Sequence, residues 1–211
     1  TEAHHSATHL VHAALKRVLG DHVKQKGSLV DEHKLRFDFS HDESLSDEEI
    51  SKIEDLVNQE ILKNSAVSTK IMDLEDAKNS GAESLFGEKY EDQVRVLSIG
   101  EDDFSLELCG GTHISRTGDL GIFIITSQSS VASGIRRIEA LSGPRAQEYL
   151  SNLKNQTIQL QKLLNAPAEE IEDKVSKLLK ENKSLKKGGK TFKAATIKSV
   201  SYTHLTLPTK L

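Results

Sequence analysis

Apolar residues recur at three- and four-residue spacing near the start of the chain. Ala7, Leu10, Val11, Ala14, Leu15, Val18 and Leu19 form one stripe, which predicts a helix over residues 5–19. Gly20-Asp21-His22 ends it, and residues 23–30 read as a short strand and a turn. Leu35-Arg36-Phe37-Asp38-Phe39 alternates, so Leu35, Phe37 and Phe39 should point inward from a half-buried strand. Ser46 and Glu49 make a capping box, ahead of a helix whose buried stripe is Ile50, Ile53, Leu56, Val57 and Ile61 and whose end falls near Asn64. Residues 66–72 predict a strand and residues 73–79 a short helix stopped by Gly81. Residues 94–99 and 104–108 flank Gly100-Glu101-Asp102-Asp103, the pattern of a hairpin. Residues 121–126 and 134–140 predict two further strands, with Arg136 and Arg137 on opposite faces of the last.

The pattern changes at Ser142-Gly143-Pro144. Pro144 suits the first turn of a helix, and the stretch after it is long and polar. Leu150, Leu153, Leu160 and Leu164 mark one seam. Asn165-Ala166-Pro167 interrupts it, and Ile171, Val175, Leu178, Asn182 and Leu185 continue in a new phase until Gly188-Gly189. Fewer than three heptads stand on each side of the break, so a coiled coil and an antiparallel helical hairpin both remain open. The expected class is therefore α+β. A mainly antiparallel sheet with packed helices occupies residues 1–143, and a long helical, coiled-coil-like arm occupies 144–187. Residues 188–199 would be the start of a further domain. The string at 200–211 resembles the translation of a transposon-type sequencing adapter, so His204 carries no functional weight. The chain does not begin with Met, and the expectation is an internal fragment of a longer protein.

Composition narrows the function classes. With 36% hydrophobic residues the 211-residue chain can build a core, and a net charge of −4 gives no global footprint for nucleic acid. A single cysteine cannot form an internal disulfide, and no apolar run approaches the length of a membrane span. A cytoplasmic protein without a membrane partner is expected.

The candidate chemistry is concentrated in two short stretches. His5 and His9 are four residues apart on the first helix, so both can face one ion. Cys109-Gly110-Gly111-Thr112-His113 adds a thiol and an imidazole across a Gly-Gly turn, completing a Cys-His₃ set suited to tetrahedral zinc. At about 100° per residue, His5, His9 and His12 fall on the side opposite the apolar stripe. Two helical histidines alone would read as a solvated face, and Cys109 alone as a small buried residue; their combination points to a site. His12 lies a turn further along that face and reads as a bystander or a support, while His4 points elsewhere. His33 and His41 read as exposed loop residues.

These stretches closely resemble the editing domain of the alanyl-tRNA synthetases. The resemblance extends to Gln25-Lys26-Gly27-Ser28-Leu29-Val30, residues 35–41, Leu85-Phe86-Gly87-Glu88-Lys89-Tyr90, Ser115-Arg116-Thr117-Gly118-Asp119 and residues 134–140, and it covers residues 5 to about 187. It implies one zinc ion per chain held by His5, His9, Cys109 and His113. It also implies Thr8 and Gln25 as catalytic groups around the mischarged aminoacyl ester, and Gly110, Gly111 and Arg136 as contacts to the substrate or the tRNA. The implied reaction is hydrolysis of Ser-tRNA(Ala) and Gly-tRNA(Ala). The implied parent enzyme joins alanine to tRNA(Ala) with ATP and Mg2+ in a domain outside this chain. A homodimer through the helical arm or a further domain is also implied. Zinc could either activate a water or position the tRNA end; four protein ligands lean towards positioning. The rivals are a free-standing trans-editing deacylase and a zinc-stabilised tRNA-binding or dimerisation module without catalysis.

Overall fold

The computed structural model describes residues 1–84 and 90–200, with side chains to residue 187. The motif at residues 85–89 and the string at 201–211 lie outside the described residues. The chain divides into two compact units, the first Thr1–Ser151 and the second beginning at Asn152.

The first unit is α+β, as its periodicity predicts. Helix α1 (Glu2–Leu19) buries Ala7, Leu10, Val11, Ala14 and Leu15. Strands β1 (Gln25–Val30) and β2 (Leu35–Ser40) form a hairpin closed by Asp31, whose Oδ1 accepts the amides of His33 and Lys34 at 2.7 and 2.8 Å. Helix α2 (Asp47–Lys63) starts at the expected capping box. Ser46 Oγ accepts Glu49 N–H at 3.2 Å, and Glu49 Oε2 accepts Ser46 N–H at 2.8 Å. Asn64 ends the helix with a left-handed φ of 52°.

Strand β3 (Ser68–Asp73), helix α3 (Leu74–Asn79), β4 (Gln93–Ile99) and β5 (Ser105–Leu108) follow, then the hairpin β6 (Phe123–Ala132) and β7 (Ile135–Ser142). These strands pair antiparallel, in sheets ordered β1-β2-β7-β6 and β3-β4-β5. The larger sheet turns Leu35, Phe37, Phe39, Ile138 and Ala140 onto α1 and α2, and these residues share one core with Ile53, Val57 and Phe123. Each of these side chains other than Ala140 contributes about 1.5–3 kcal/mol by leaving water. Ala77, Val94, Val96 and Leu108 make a smaller core under α3.

β6 runs past the predicted end at residue 126, because its polar second half is held by backbone pairing to β7 and needs no buried stripe. Arg136 and Arg137 do point to opposite faces. Arg137 meets Asp38 in two hydrogen bonds of 2.7 and 2.9 Å, while Arg136 pairs in register with Phe39 on the core-facing side and reaches Gln128.

Helix α4 (Pro144–Leu164) begins at Pro144 as expected, and Asn165, with φ of 47°, ends it. Helix α5 (Ile171–Val200) runs through Gly188-Gly189, where the sequence predicts a stop. Two glycines cost roughly 1 kcal/mol each in a helix, and the helix formers on both sides carry it across. Leu153, Leu160, Leu178 and Leu185 of these helices are 40–74% exposed. Among the described residues no helix is long and apolar enough to cross a membrane.

Candidate metal centre

The ligand set inferred from spacing comes together in space. One nitrogen from each of His5, His9 and His113 and the sulfur of Cys109 all lie within 4.8 Å of one another. Cys109 Sγ is 3.3 Å from His113 Nε2 and 3.6 Å from His5 Nε2. A tetrahedral zinc with ligands at about 2.0 to 2.3 Å spaces its donor atoms roughly 3.3 to 3.6 Å apart.

Two elements build this cluster. Helix α1 supplies His5 and His9 one turn apart. β5 delivers Cys109 at its end, and the Gly-Gly turn folds His113 back over it. The turn is tied down by Arg95, whose guanidinium donates to the Gly111 carbonyl and, at 3.4 Å, to that of Cys109; the Cys109 amide in turn donates to Arg95 O at 3.1 Å. Gly111 is required by the close approach of His5, because a Cβ there would stand 2.2 Å from the ring Cε1; at Gly110 a Cβ would meet nothing within 4 Å.

Each histidine is held through its other nitrogen. His5 Nδ1 lies 3.2 Å from the Thr112 carbonyl, His9 Nδ1 lies 2.6 Å from Glu107 Oε2, and His113 Nδ1 lies 3.2 Å from Ser6 Oγ. That is the pattern in which outer partners fix the tautomer of metal ligands. His9 Nε2 is buried and has no hydrogen-bond partner. A buried polar atom left unpaired is costly, and an ion at the centre of the four ligands would satisfy it. The residues therefore fit zinc by donor chemistry, spacing and orientation.

Electrostatics favour a cation. Burial opposes charge on Cys109, yet the hydrogen bonds of His113 and His5, the nearby His9 ring and the Gly111 amide overcome it and bring the thiol from 9.0 to about 3. Burial likewise opposes charge on Glu107, but the neighbouring His9, with the hydrogen bonds of His12 and His9, takes it from 4.5 to about 2. For His9, burial is outweighed by the Glu107 charge, the nearby Cys109 sulfur and the hydrogen bond to Glu107, raising it from 6.5 to about 9 in the metal-free protein. His113 is lowered, chiefly by burial.

The histidine side of α1, opposite the apolar stripe, is covered as well. His9 and His12 are 3% and 5% exposed, because β5 lies across them and sets Glu107 between their rings. Sequence reasoning gives Glu107 no role, although a signal is present: a carboxylate two residues before the cysteine, on the same face of a strand.

The remaining candidates occupy separate positions. Thr8 is buried on α1, and its hydroxyl donates to the His4 carbonyl at 2.9 Å. Gln25, at the start of β1, lines a cleft of about 710 Å³ with His12, Lys16, Tyr90 and Glu107. Its Nε2 donates at 3.3 Å to Ser28 Oγ, and Ser28 lines a second cleft of about 330 Å³ that opens beside His5 and Thr112. Arg136 lies on β7, where its guanidinium reaches Gln128 Oε1 at 3.4 Å.

Part of the chain matches a known family. Residues 94–139, which include β4, β5 and the Cys109–His113 turn, match the family described as the threonyl and alanyl tRNA synthetase second additional domain. Whole-chain similarity is more particular. The chain is 54% identical over 187 residues to the alanine–tRNA ligases of Saccharophagus degradans and of Pseudomonas fluorescens, covering 89% of this chain and 21% of each relative. It is 51% identical over 181 residues to that of Ruthia magnifica, covering 86% of the chain and 21% of the relative. The chain thus spans about a fifth of the length of these relatives.

Proposed function

We propose that this chain is the editing portion of an alanine–tRNA ligase, with residues 1–143 hydrolysing tRNA(Ala) mischarged with serine or glycine and residues 144–187 forming a helical arm. The observation that carries the reading is the convergence of His5, His9, Cys109 and His113 within 4.8 Å, in a chain 51–54% identical to alanine–tRNA ligases. The need for such a site is physical. A pocket that accepts alanine cannot exclude the smaller glycine and rejects an added hydroxyl only weakly, so fidelity requires a second, hydrolytic site.

In this reading His5, His9, Cys109 and His113 hold one zinc ion. Bound zinc supplies a fixed positive charge that attracts the oxygen-rich 3′ end of the tRNA. Four protein ligands close a tetrahedral site, so its role is positioning, and attack falls to a water held by polar groups of the chain. Gln25 suits that task, since it lines one cleft and hydrogen-bonds to Ser28 in the wall of the other. The Thr8 hydroxyl has given its proton to His4 O and offers lone pairs only, so its part is to accept a hydrogen bond. The water oxygen bonds to the ester carbonyl carbon, the bond to the ribose oxygen breaks, and the water proton passes to that oxygen. Free amino acid and tRNA result. Gly110, with space around it, admits the substrate backbone, Gly111 lets the turn lie close to His5, and Arg136 serves a tRNA phosphate.

The parent enzyme would charge tRNA(Ala) using ATP and Mg2+ in another domain, in the cytoplasm. The exposed leucines of α4 and α5 support a homodimer through the arm.

The test is deacylation of Ser-tRNA(Ala) by residues 1–187, with Ala-tRNA(Ala) as control and zinc measured in parallel. Hydrolysis of the serine ester alone, lost with zinc in Cys109→Ala, is expected. A zinc-loaded chain without hydrolysis would replace this reading with a non-catalytic tRNA-binding module.

A further inference from the structure

We propose that Glu107 is a positioning residue of the metal centre, its two carboxylate oxygens holding the rings of His9 and His12 so that His9 presents Nε2 to the ligand cluster. The inference rests on the metal-centre reading above and extends it to residues with no assigned part in it.

Glu107 is 4% exposed. Its Oε2 lies 2.6 Å from His9 Nδ1 and its Oε1 lies 2.9 Å from His12 Nδ1, with Ser105 Oγ a further donor to Oε1 at 3.3 Å. An ionised carboxylate only accepts hydrogen bonds, so both ring nitrogens facing it must carry hydrogen. In a neutral imidazole that leaves the lone pair on Nε2; the Nε2 atoms of both His9 and His12 are buried without a hydrogen-bond partner, and that of His9 belongs to the ligand cluster. An ion that displaces the Nε2 proton therefore meets His9 already held in the tautomer and orientation that ligation needs.

Strand geometry explains how one segment does this. Alternation along β5 sends Ser105, Glu107 and Cys109 to the same face, so the strand delivers a ligand together with the support of another ligand. Helix geometry matches it. His9 and His12 are three residues apart on α1, neighbours on one face, and the carboxylate fits between them.

His12 is the second anchor. Its ring packs tilted against Phe37, a fully buried side chain of β2, with centroids 5.3 Å apart, and it lines the cleft that contains Gln25. A carboxylate bonded to one histidine could swing about its own side chain; bonded to two, it is fixed in plane. The line His9–Glu107–His12 therefore ties the metal ligands to the wall of the larger cleft.

The experiment compares wild-type protein with Glu107→Gln by competitive zinc titration, with cobalt(II) visible absorption as a report on ligand geometry. Glutamine offers one acceptor oxygen and an NH2 where two N–H donors point, so one ring must turn away or switch tautomer, and the paired hold on His9 and His12 is lost. Zinc binding weaker by about 10–100-fold, with altered cobalt bands, is the expected result. Unchanged affinity and an unchanged spectrum would overturn the assignment while leaving the metal centre in place. Wild-type protein that binds neither ion would overturn the metal centre itself and this assignment with it. Should Glu107→Gln not fold, nitrogen-15 NMR of zinc-loaded wild-type protein decides: His9 protonated at Nδ1 supports the proposal, and His9 protonated at Nε2 overturns it.

Discussion

Gly111 approaches His5 so closely that a methyl group on its Cα would stand 2.2 Å from the ring Cε1 and 2.8 Å from Nδ1. No real Cβ contact is that short, and the neighbour is a stiff ring already bonded to the Thr112 carbonyl. Gly111→Ala must therefore displace His5 from the ligand cluster. Zinc affinity should fall by about tenfold or more, the range expected when a ligand loses its orientation. Gly110→Ala, where a Cβ meets nothing within 4 Å, should leave affinity within about twofold of wild type, since an exposed alanine there removes no partner. Competitive zinc titration of the two variants checks the contrast, and equal losses would refute it.

Much of this is legible in the chain itself. The period-3.6 stripe of α1, the alternation of β2 and the Ser46/Glu49 box each act locally, and each is found where the pattern puts it. The convergence of His5, His9, Cys109 and His113 is legible because four side chains of metal-binding type in two tight spacings have few other uses. Glu107 is not legible as a partner of His9 and His12, because its role depends on β5 crossing α1, a pairing between residues some 95 to 98 positions apart that no local pattern encodes. The second half of β6 and the passage of α5 through Gly188-Gly189 escape for a different reason. There backbone pairing and flanking helix formers decide the outcome without a buried stripe.

Removing the metal should loosen the first unit. The four ligands join α1 to the turn after β5, so an ion bound only by the folded chain stabilises it by mass action. At free zinc about a thousandfold above Kd this amounts to about 4 kcal/mol, or a shift in Tm of roughly 10 °C for a unit of this size. Thermal melts with and without a chelator should show that difference in wild type and lose it in Cys109→Ala. A variant that still responds to the chelator would mean that the ion sits elsewhere.

Stability far from the site has its own test. Ser46→Ala removes the acceptor for Glu49 N–H and half of a reciprocal pair at the start of α2, which carries Ile53, Val57 and Ile61 into the core. The expected cost is about 1 kcal/mol of unfolding free energy, with zinc affinity unchanged. Urea unfolding followed by helical circular dichroism gives the first number and metal titration the second. A loss of zinc binding would mean that the cap and the cluster are coupled through α2.

The pH dependence of the metal-free protein comes from proton counting. Below 6.5 the unfolded chain holds protons on both His9 and Cys109, whereas the folded chain holds one on His9 but none on the thiol, which is lowered to about 3. Stability therefore rises with pH over this range. Glu107, lowered from 4.5 to about 2, steepens the rise below 4.5, and the lowered His113 acts in the same direction. Between 6.5 and about 9 the two terms cancel: the folded chain keeps the His9 proton and the unfolded chain keeps the Cys109 proton. The wild-type curve in chelator should thus climb to about pH 6.5 and then run level. Cys109→Ala removes the compensating proton from the unfolded state. His9 keeps the raising effect of Glu107 but loses that of Cys109, so its stabilising contribution is lost over a narrower span above pH 6.5 and the plateau gives way to a shallow decline. Melts of both proteins in chelator at pH 5, 6.5 and 8.5 separate the two shapes. A wild-type curve that falls above pH 6.5 as steeply as the variant would show that Cys109 is not held as a thiolate in the metal-free fold.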